Sequence, residues 1–274
     1  MAEISAADVK ALREATGLPM MECKAALVEA NGDRDAATKI LKERNKKAQE
    51  TRLGRDTSEG RIGVYADEKV GALVELMCES APVAGGPDVR QLANDLAKQL
   101  ATGPGAATAE ELLLQPSPSK PGTTLGEQKD DMFSRIREVF KVGRIIRMDA
   151  PCVGYVHVTG DLASLVSYEG TDVATVKEIA MQIVATSPTA VNKEDLDQSE
   201  VAMEREKLTD QARKEGKPDN IIAKMIEGRM KNFYATCVLI EQPFVRDSAV
   251  SVSDILKKAN VKIKKFVNWK LGKS

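Results

Sequence analysis

The chain has 274 residues, 42% hydrophobic and 30% charged, which suits about two domains with real cores and excludes a disordered tail. Lys and Arg number 40 against 41 Asp and Glu, a net charge of −1, which excludes nucleic-acid binding by bulk positive charge and leaves only local basic patches. The single histidine, His157, and the scattered Cys23, Cys78, Cys152 and Cys237 make none of the CxxC, HxxxH or HExxH spacings of a zinc site, so no metal is expected.

The start, Met1-Ala2-Glu3-Ile4, lacks the basic and apolar regions of a secretory signal, and no run reaches the roughly 18 apolar residues of a membrane span. A reduced cytoplasm and no membrane partner are the expectation. The first fifty residues read as three short helices. Ser5 caps the first, with Val9 and Leu12 inward, and Thr16-Gly17-Leu18-Pro19 breaks it. Met21, Ala25 and Val28 line the second, which stops at Asn31-Gly32. Asp33 caps the third, where Ala37, Ile40 and Leu41 face inward. Lys42 to Arg55 reads either as an extension of the third helix or as an exposed linker. So small a bundle needs a surface to dock on.

Arg61–Ala66 and Lys69–Cys78 then read as strands around a turn, and residues 79–88 as a loop. Val89, Leu92, Leu96 and Leu100 mark a helix, residues 102–126 an irregular excursion, and Met132, Ile136, Val139 and Phe140 another helix. A similar succession follows: strands at 143–148, 153–159 and 163–168, then a helix carrying Val176, Ile179 and Ile183. Two charged helices flank Glu215-Gly216-Lys217-Pro218-Asp219, with Asp219 or Asn220 as the second cap. Their stripes, Val201, Leu208, Ala212 and Ile222, Ile226, Met230, Phe233, predict an antiparallel helical hairpin. Residues 235–240 read as a strand, 252–259 as a helix and 261–271 as a last strand.

The chemistry motifs are mostly negative. No phosphate loop, dinucleotide fingerprint or nucleophile elbow occurs, and aromatics, at 4%, are scarce for an enzyme pocket. Cys152 and His157 have an odd offset on one strand and so point to opposite faces, which argues against a catalytic dyad. Three stretches remain. Met20-Met21 opens a helix, either as core filling or as core plus adaptable partner contact. Gln242-Pro243-Phe244-Val245 sets large apolar groups in a turn, read as a core-anchored loop or a contact. Tyr155-Val156-His157 ends a strand at a glycine turn, with His157 either structural or binding.

These stretches carry a resemblance. Leu12-Arg13-Glu14-Ala15-Thr16-Gly17, Met20-Met21-Glu22-Cys23-Lys24-Ala25-Ala26-Leu27 and Glu29-Ala30-Asn31-Gly32-Asp33 are similar to the N-terminal signature of the bacterial elongation factor Ts family. Lys224-Met225-Ile226-Glu227-Gly228-Arg229-Met230, Ile179-Ala180-Met181 and Gln242-Pro243-Phe244-Val245 resemble later motifs of that family. The resemblance implies an α+β fold: a three-helix, ubiquitin-associated (UBA-like) N-terminal domain and linker over 1–54, and two α+β core subdomains over 55–142 and 143–274. A protruding antiparallel helical hairpin inserts at about 195–234. It implies guanine-nucleotide exchange on elongation factor Tu, GDP-bound and nucleotide-free, with no covalent catalysis, no cofactor and no direct nucleic-acid contact. Lys24, Ile136, His157 and Val245 match family contact positions; Met20, Met21 and Phe244 join them as candidates.

One departure stands out. The family usually carries Thr-Asp-Phe-Val-Ala after the second strand, and its Phe wedges between helices of Tu near the Mg²⁺ site. Here the place reads Ser80-Ala81-Pro82-Val83-Ala84. A buried Phe is worth about 1.5–3 kcal/mol, so roughly 10- to 150-fold of coupling is lost unless Pro82 and Val83 form a smaller wedge. The family histidine after Ala-Met is also replaced, by Gln182. Two other readings stay open. One is a Tu-binding stabiliser or chaperone with weak or no exchange activity. The other is an adaptor working through the N-terminal bundle alone, for which deleting residues 1–50 abolishes all binding.

Overall fold

A computed structural model describes residues 4–52, 54–215 and 218–272. The breaker Gly216-Lys217 and the C-terminal Lys273-Ser274 lie outside the described residues. The chain forms two compact units: one takes the chain up to Gly63 and Leu73–Ile146, the other Val64–Ala72 and the chain from Arg147 onward.

The first unit opens with α1 (Ala6–Thr16), α2 (Met20–Glu29) and α3 (Arg34–Glu50). The Ser5 hydroxyl accepts from the Asp8 amide at 3.2 Å, and the Asp33 carboxylate accepts from the Asp35 and Ala36 amides at 2.8 and 3.0 Å. Gly17, at φ 69°, closes α1 in the left-handed region. The three helices share a core of Val9, Leu12, Leu18, Cys23, Ala26, Leu27, Ala37 and Leu41. This corrects the expected inner face of α2. That helix carries two apolar stripes, and the one made of Cys23, Ala26 and Leu27 packs into the core shared with α1 and α3. Met21, Ala25 and Val28 face outward. The stretch from Lys42 is helix as far as Glu50.

Next come β1 (Glu59–Ala66) and β2 (Gly71–Cys78), then α4 (Ala81–Ala84), α5 (Pro87–Thr102), α6 (Ala109–Leu113), α7 (Leu125–Ile136) and β3 (Lys141–Met148). Within the expected loop 79–88, Ser80 and Pro82 start the helical turn α4. The excursion at 102–126 holds α6 and a bridge between Pro116 and Thr124. The last helix here ends at Ile136 rather than running through Phe140, because Arg137 adopts φ 65°. The sheet order is β1-β2-β3, so β3 completes the first hairpin rather than opening the second succession. Gly63 lets α5 approach β1: a Cβ there would lie 1.9 Å from the Ala93 carbonyl oxygen.

The second unit carries β4 (Cys152–Val156), β5 (Leu162–Glu169), α8 (Val173–Thr186), α9 (Gln198–Lys214), α10 (Asp219–Cys237), β6 (Pro243–Phe244), β7 (Asp247–Ser251), α11 (Val252–Ala259) and β8 (Lys262–Lys270). Its main sheet runs β4-β5-β8, antiparallel throughout, with Val166↔Phe266 and Val153↔Val166 in register. Val166, Val176, Ile179, Ile183, Leu239, Phe244, Val252 and Ile263 form its core. β8 lies at the sheet edge, where Lys262, Lys264 and Lys265 discourage pairing with another chain.

Helices α9 and α10 pack through Leu208, Ala212, Ile222, Ile226 and Met230, the two predicted stripes. The helix cap falls on Pro218 rather than Asp219 or Asn220, which lie in the helix. The expected strand at 235–240 does not form. α10 continues to Cys237, a 3-10 turn covers Leu239–Glu241, and Val238 makes one bridge to Ala190. Val238, Cys237 and Ile240 there pack with Phe233, Tyr234, Ala190 and Leu196. β4 likewise stops at Val156 instead of Thr159.

Candidate partner-binding surface

In the first unit, α2 presents an apolar face to solvent. Met20 is 49% exposed, Met21 73% and Val28 51%, with Lys24 and Ala25 exposed beside them. Met21, Lys24, Ala25, Val28 and Glu29 line a shallow depression, since residues three and four apart share a helix face. The expected inner stripe, Met21, Ala25 and Val28, is therefore the outer one. The signal that could have found this face is the second apolar stripe on the same helix, Cys23, Ala26 and Leu27.

At the end of β2 the turn Ser80–Ala84 replaces the expected aromatic wedge. Ala81 and Pro82 are exposed, Ser80 and Val83 half-buried and Ala84 buried. The Ala84 amide donates to the Ser80 carbonyl at 3.0 Å, so the segment is one stiff helical turn begun by proline. Two neighbouring carboxylates clasp it. Glu138 accepts from the Ser80 amide at 3.2 Å and the Ser80 hydroxyl at 2.6 Å. Glu79 reciprocates, accepting from the Val139 amide at 2.8 Å and from Arg55 at 2.9 Å. The Val139 amide first, then Arg55, holds the Glu79 carboxyl below its ordinary value despite some desolvation. Ile136, half-buried, is the last residue of α7, so the clasp brings the Ser80 turn beside the helix end that carries it. Glu138 was not among the sequence candidates, because a lone Glu after a helix has no distinguishing spacing.

In the second unit, His157 follows β4 in a tight turn. Its amide donates to the Leu162 carbonyl at 2.8 Å, and the Gly160 amide donates to its carbonyl at 2.9 Å. Nδ1 lies 3.2 Å from the Tyr155 hydroxyl, which orients a half-exposed ring. Val158, 85% exposed, stands at the tip. Cys152 is buried, and burial pushes its thiol up to about 11, so it is neither accessible nor a ready thiolate.

The Gln242–Val245 turn divides its labour. Phe244, only 5% exposed, sits in the core and is not available to a partner, while Val245 is 53% exposed. Buried Gln182 on α8 organises the turn. Its amide nitrogen donates to Gln242 Oε1 at 3.0 Å and to the Pro243 carbonyl at 3.1 Å, and its oxygen accepts from the Val245 amide at 2.8 Å. Gln242 in turn donates to the Thr236 carbonyl at 2.9 Å. Among the described residues no cluster of three His, Cys, Asp or Glu groups gathers as a metal would need, and no helix is long and apolar enough to cross a membrane. The first unit thus exposes apolar groups and Lys24 on α2, and the second exposes Val245 and a half-exposed imidazole on turns.

A family model described as Elongation factor TS matches residues 81–273. Over 272 residues the chain is 35% identical to "Elongation factor Ts" of Hydrogenobaculum sp., covering 98% of this chain and 99% of that one. It is 36% identical to "Elongation factor Ts" of Aquifex aeolicus over 288 aligned positions, 98% of each chain. It is 38% identical to "Elongation factor Ts" of Nocardioides sp. over 278, covering 99% of this chain and all of the relative.

Proposed function

Because the chain belongs to the elongation factor Ts family, a family of translation elongation factors, we propose that it is a guanine-nucleotide exchange factor for elongation factor Tu. It binds Tu·GDP and speeds GDP release, after which GTP rebinds. It works in the cytoplasm. The observation that carries this reading is the exposure of apolar side chains at the family-matched Met20, Met21 and Val245, and at Ala81 and Pro82 in the place of the family's wedge; all face solvent on stiff elements. Solvent-facing apolar groups on stiff turns are suited to partner contact.

The physical logic is linkage. A protein that binds nucleotide-free Tu more tightly than Tu·GDP lowers GDP affinity by that same factor. No bond is made or broken. Met20, Met21 and Lys24 anchor one side of the interaction. Ser80, Ala81, Pro82 and Val83, with Ile136, press on Tu where the family's aromatic ring usually acts. His157 and Val245 supply a polar and an apolar contact from their turns, and Phe244 supports Val245 from the core. The UBA-like character of the α1–α3 bundle, the protruding hairpin over 195–234 and the subdomain division at about 54 and 142 belong to the same proposal.

The test is release of fluorescent GDP from cognate Tu, measured by stopped flow over a range of chain concentrations. A saturating increase in rate supports exchange. One observation favours a second reading, a Tu-binding stabiliser: Ala81-Pro82 stands where the family carries Asp-Phe. Tight Tu binding with no acceleration of GDP release would establish that reading and defeat the first.

A further inference from the structure

Arg137 is strained and has a reason to be. It closes α7 at φ 65°, a left-handed position where glycine or asparagine is the usual occupant. From there its Nη2 donates to both Glu22 oxygens, at 2.6 and 2.5 Å, and its Nη1 donates to Asn45 Oδ1 at 3.1 Å. Its carbonyl accepts from Arg52. Glu22 lies on α2 next to Met21, and Asn45 on α3 is buried. Two further bonds follow the same seam: Asn45 donates to Ser134 at 2.8 Å, and Gln49 to Asp130 at 3.0 Å. The two residues after Arg137 hold the Ser80 turn, through Glu138 to Ser80 and through the Val139 amide to Glu79. Residues 137–139 thus tie α2 and the Ser80–Ala84 turn to the end of α7, where Ile136 precedes them in the chain.

We propose that Arg137 and Glu138 are positioning residues that lock three contact segments into one preorganised surface, Arg137 latching the α1–α3 bundle and Glu138 the Ser80 turn. The proposal rests on the exchange reading above for its consequence, and on the bonds at 137–139 for its geometry. A bundle held by fewer bonds along this seam would be ordered further at each encounter with Tu, a cost that the latch lowers in advance. A charge-assisted fork from a left-handed position fixes direction as well as distance. Arg137→Gly keeps the backbone conformation, relieves its strain and removes only the latch.

The experiment measures GDP release from Tu against chain concentration, together with tryptic cleavage of the free chain at Lys46, Lys47, Arg52 and Arg55. Arg137→Gly and Glu22→Gln are each expected to raise the half-saturating concentration about fivefold or more. The maximal rate stays within about twofold, and the double variant is no worse than the worse single one. Arg137→Lys, which keeps a donor for Glu22, recovers part of the loss. Glu138→Gln lowers the maximal rate and leaves half-saturation in place. Arg137→Gly is cleaved faster than the parent chain, while its thermal midpoint does not fall. Unchanged half-saturation in Arg137→Gly, in a chain whose parent accelerates release, overturns the latch and leaves the exchange reading standing. A parent chain that does not accelerate release overturns the exchange reading instead. Cleavage then decides the latch: equal rates for Arg137→Gly and the parent refute it.

Discussion

Gln182→Met tests whether one buried amide builds the Val245 turn. The substitution nearly conserves volume, so no large cavity term enters. It removes three hydrogen bonds: to Gln242 at 3.0 Å, to the Pro243 carbonyl at 3.1 Å and from the Val245 amide at 2.8 Å. Gln242 Oε1 keeps a partner in the Thr186 hydroxyl at 2.7 Å, so that loss is about the ordinary net value of one bond, about 1 kcal/mol. The Pro243 carbonyl and the Val245 amide are part-buried, and each costs about 0.5–1.5 kcal/mol when left to partial hydration. The sum is about 2–4 kcal/mol. With a urea slope of about 2 kcal/mol per molar, the midpoint falls by about 1–2 M, read by circular dichroism. The loosened turn also frees Val245, so the concentration of chain needed for half-maximal GDP release rises with little change in the maximal rate. A midpoint shift under about 0.3 M would refute the reasoning, because it would mean that solvent replaces all three bonds without loss.

Pro82→Ala and Val83→Ala are each expected to slow GDP release at saturating chain, and unchanged rates in both would remove the smaller wedge from the mechanism. Gly63→Ala is expected to destabilise the first unit by about 2 kcal/mol or more in thermal melts, since a Cβ 1.9 Å from the Ala93 carbonyl oxygen forces α5 off the sheet. Acid sensitivity follows from carboxyls held low: Glu79 by the Val139 amide and Arg55, and Asp67 by the Lys69 and Val70 amides. Their folded values lie below the ordinary 4.5 and 3.8, so their contribution is complete above those values and is lost as pH falls through the lower folded ones. Urea midpoints from pH 6 to 3 should fall at the acid end, and Glu79→Gln should flatten that limb. Burial pushes the Cys78 and Cys152 thiols up to about 11, so iodoacetamide at pH 8 should label both only after unfolding, as read by peptide mass mapping.

The sequence alone determined what local chemistry controls. Ser5 and Asp33 had to cap helices because their side-chain oxygens satisfy first-turn amides, and they do. The stripes of α9 and α10 had to meet because their period matches the helix. The family motifs were legible because they are long and run the length of the chain. Tertiary structure decided what local pattern leaves degenerate. α2 carries two apolar stripes, and only the bundle's need for close packing put Cys23 and Ala26 inside and left Met21 and Val28 out. Residues 235–240 include strand-forming side chains, yet α10 runs on through Cys237 and a 3-10 turn takes Leu239 onward, packed with Ala190 and Leu196. Phe244 and Val245 are adjacent apolar residues, and the core took one and left the other in solvent. The bonds at 137–139 were invisible for the same reason, since they join Arg137 to Glu22 and Glu138 to Ser80 across 115 and 58 positions. Composition and spacing report which groups are present along a helix or strand; which of them meet across such distances is set by how the elements pack.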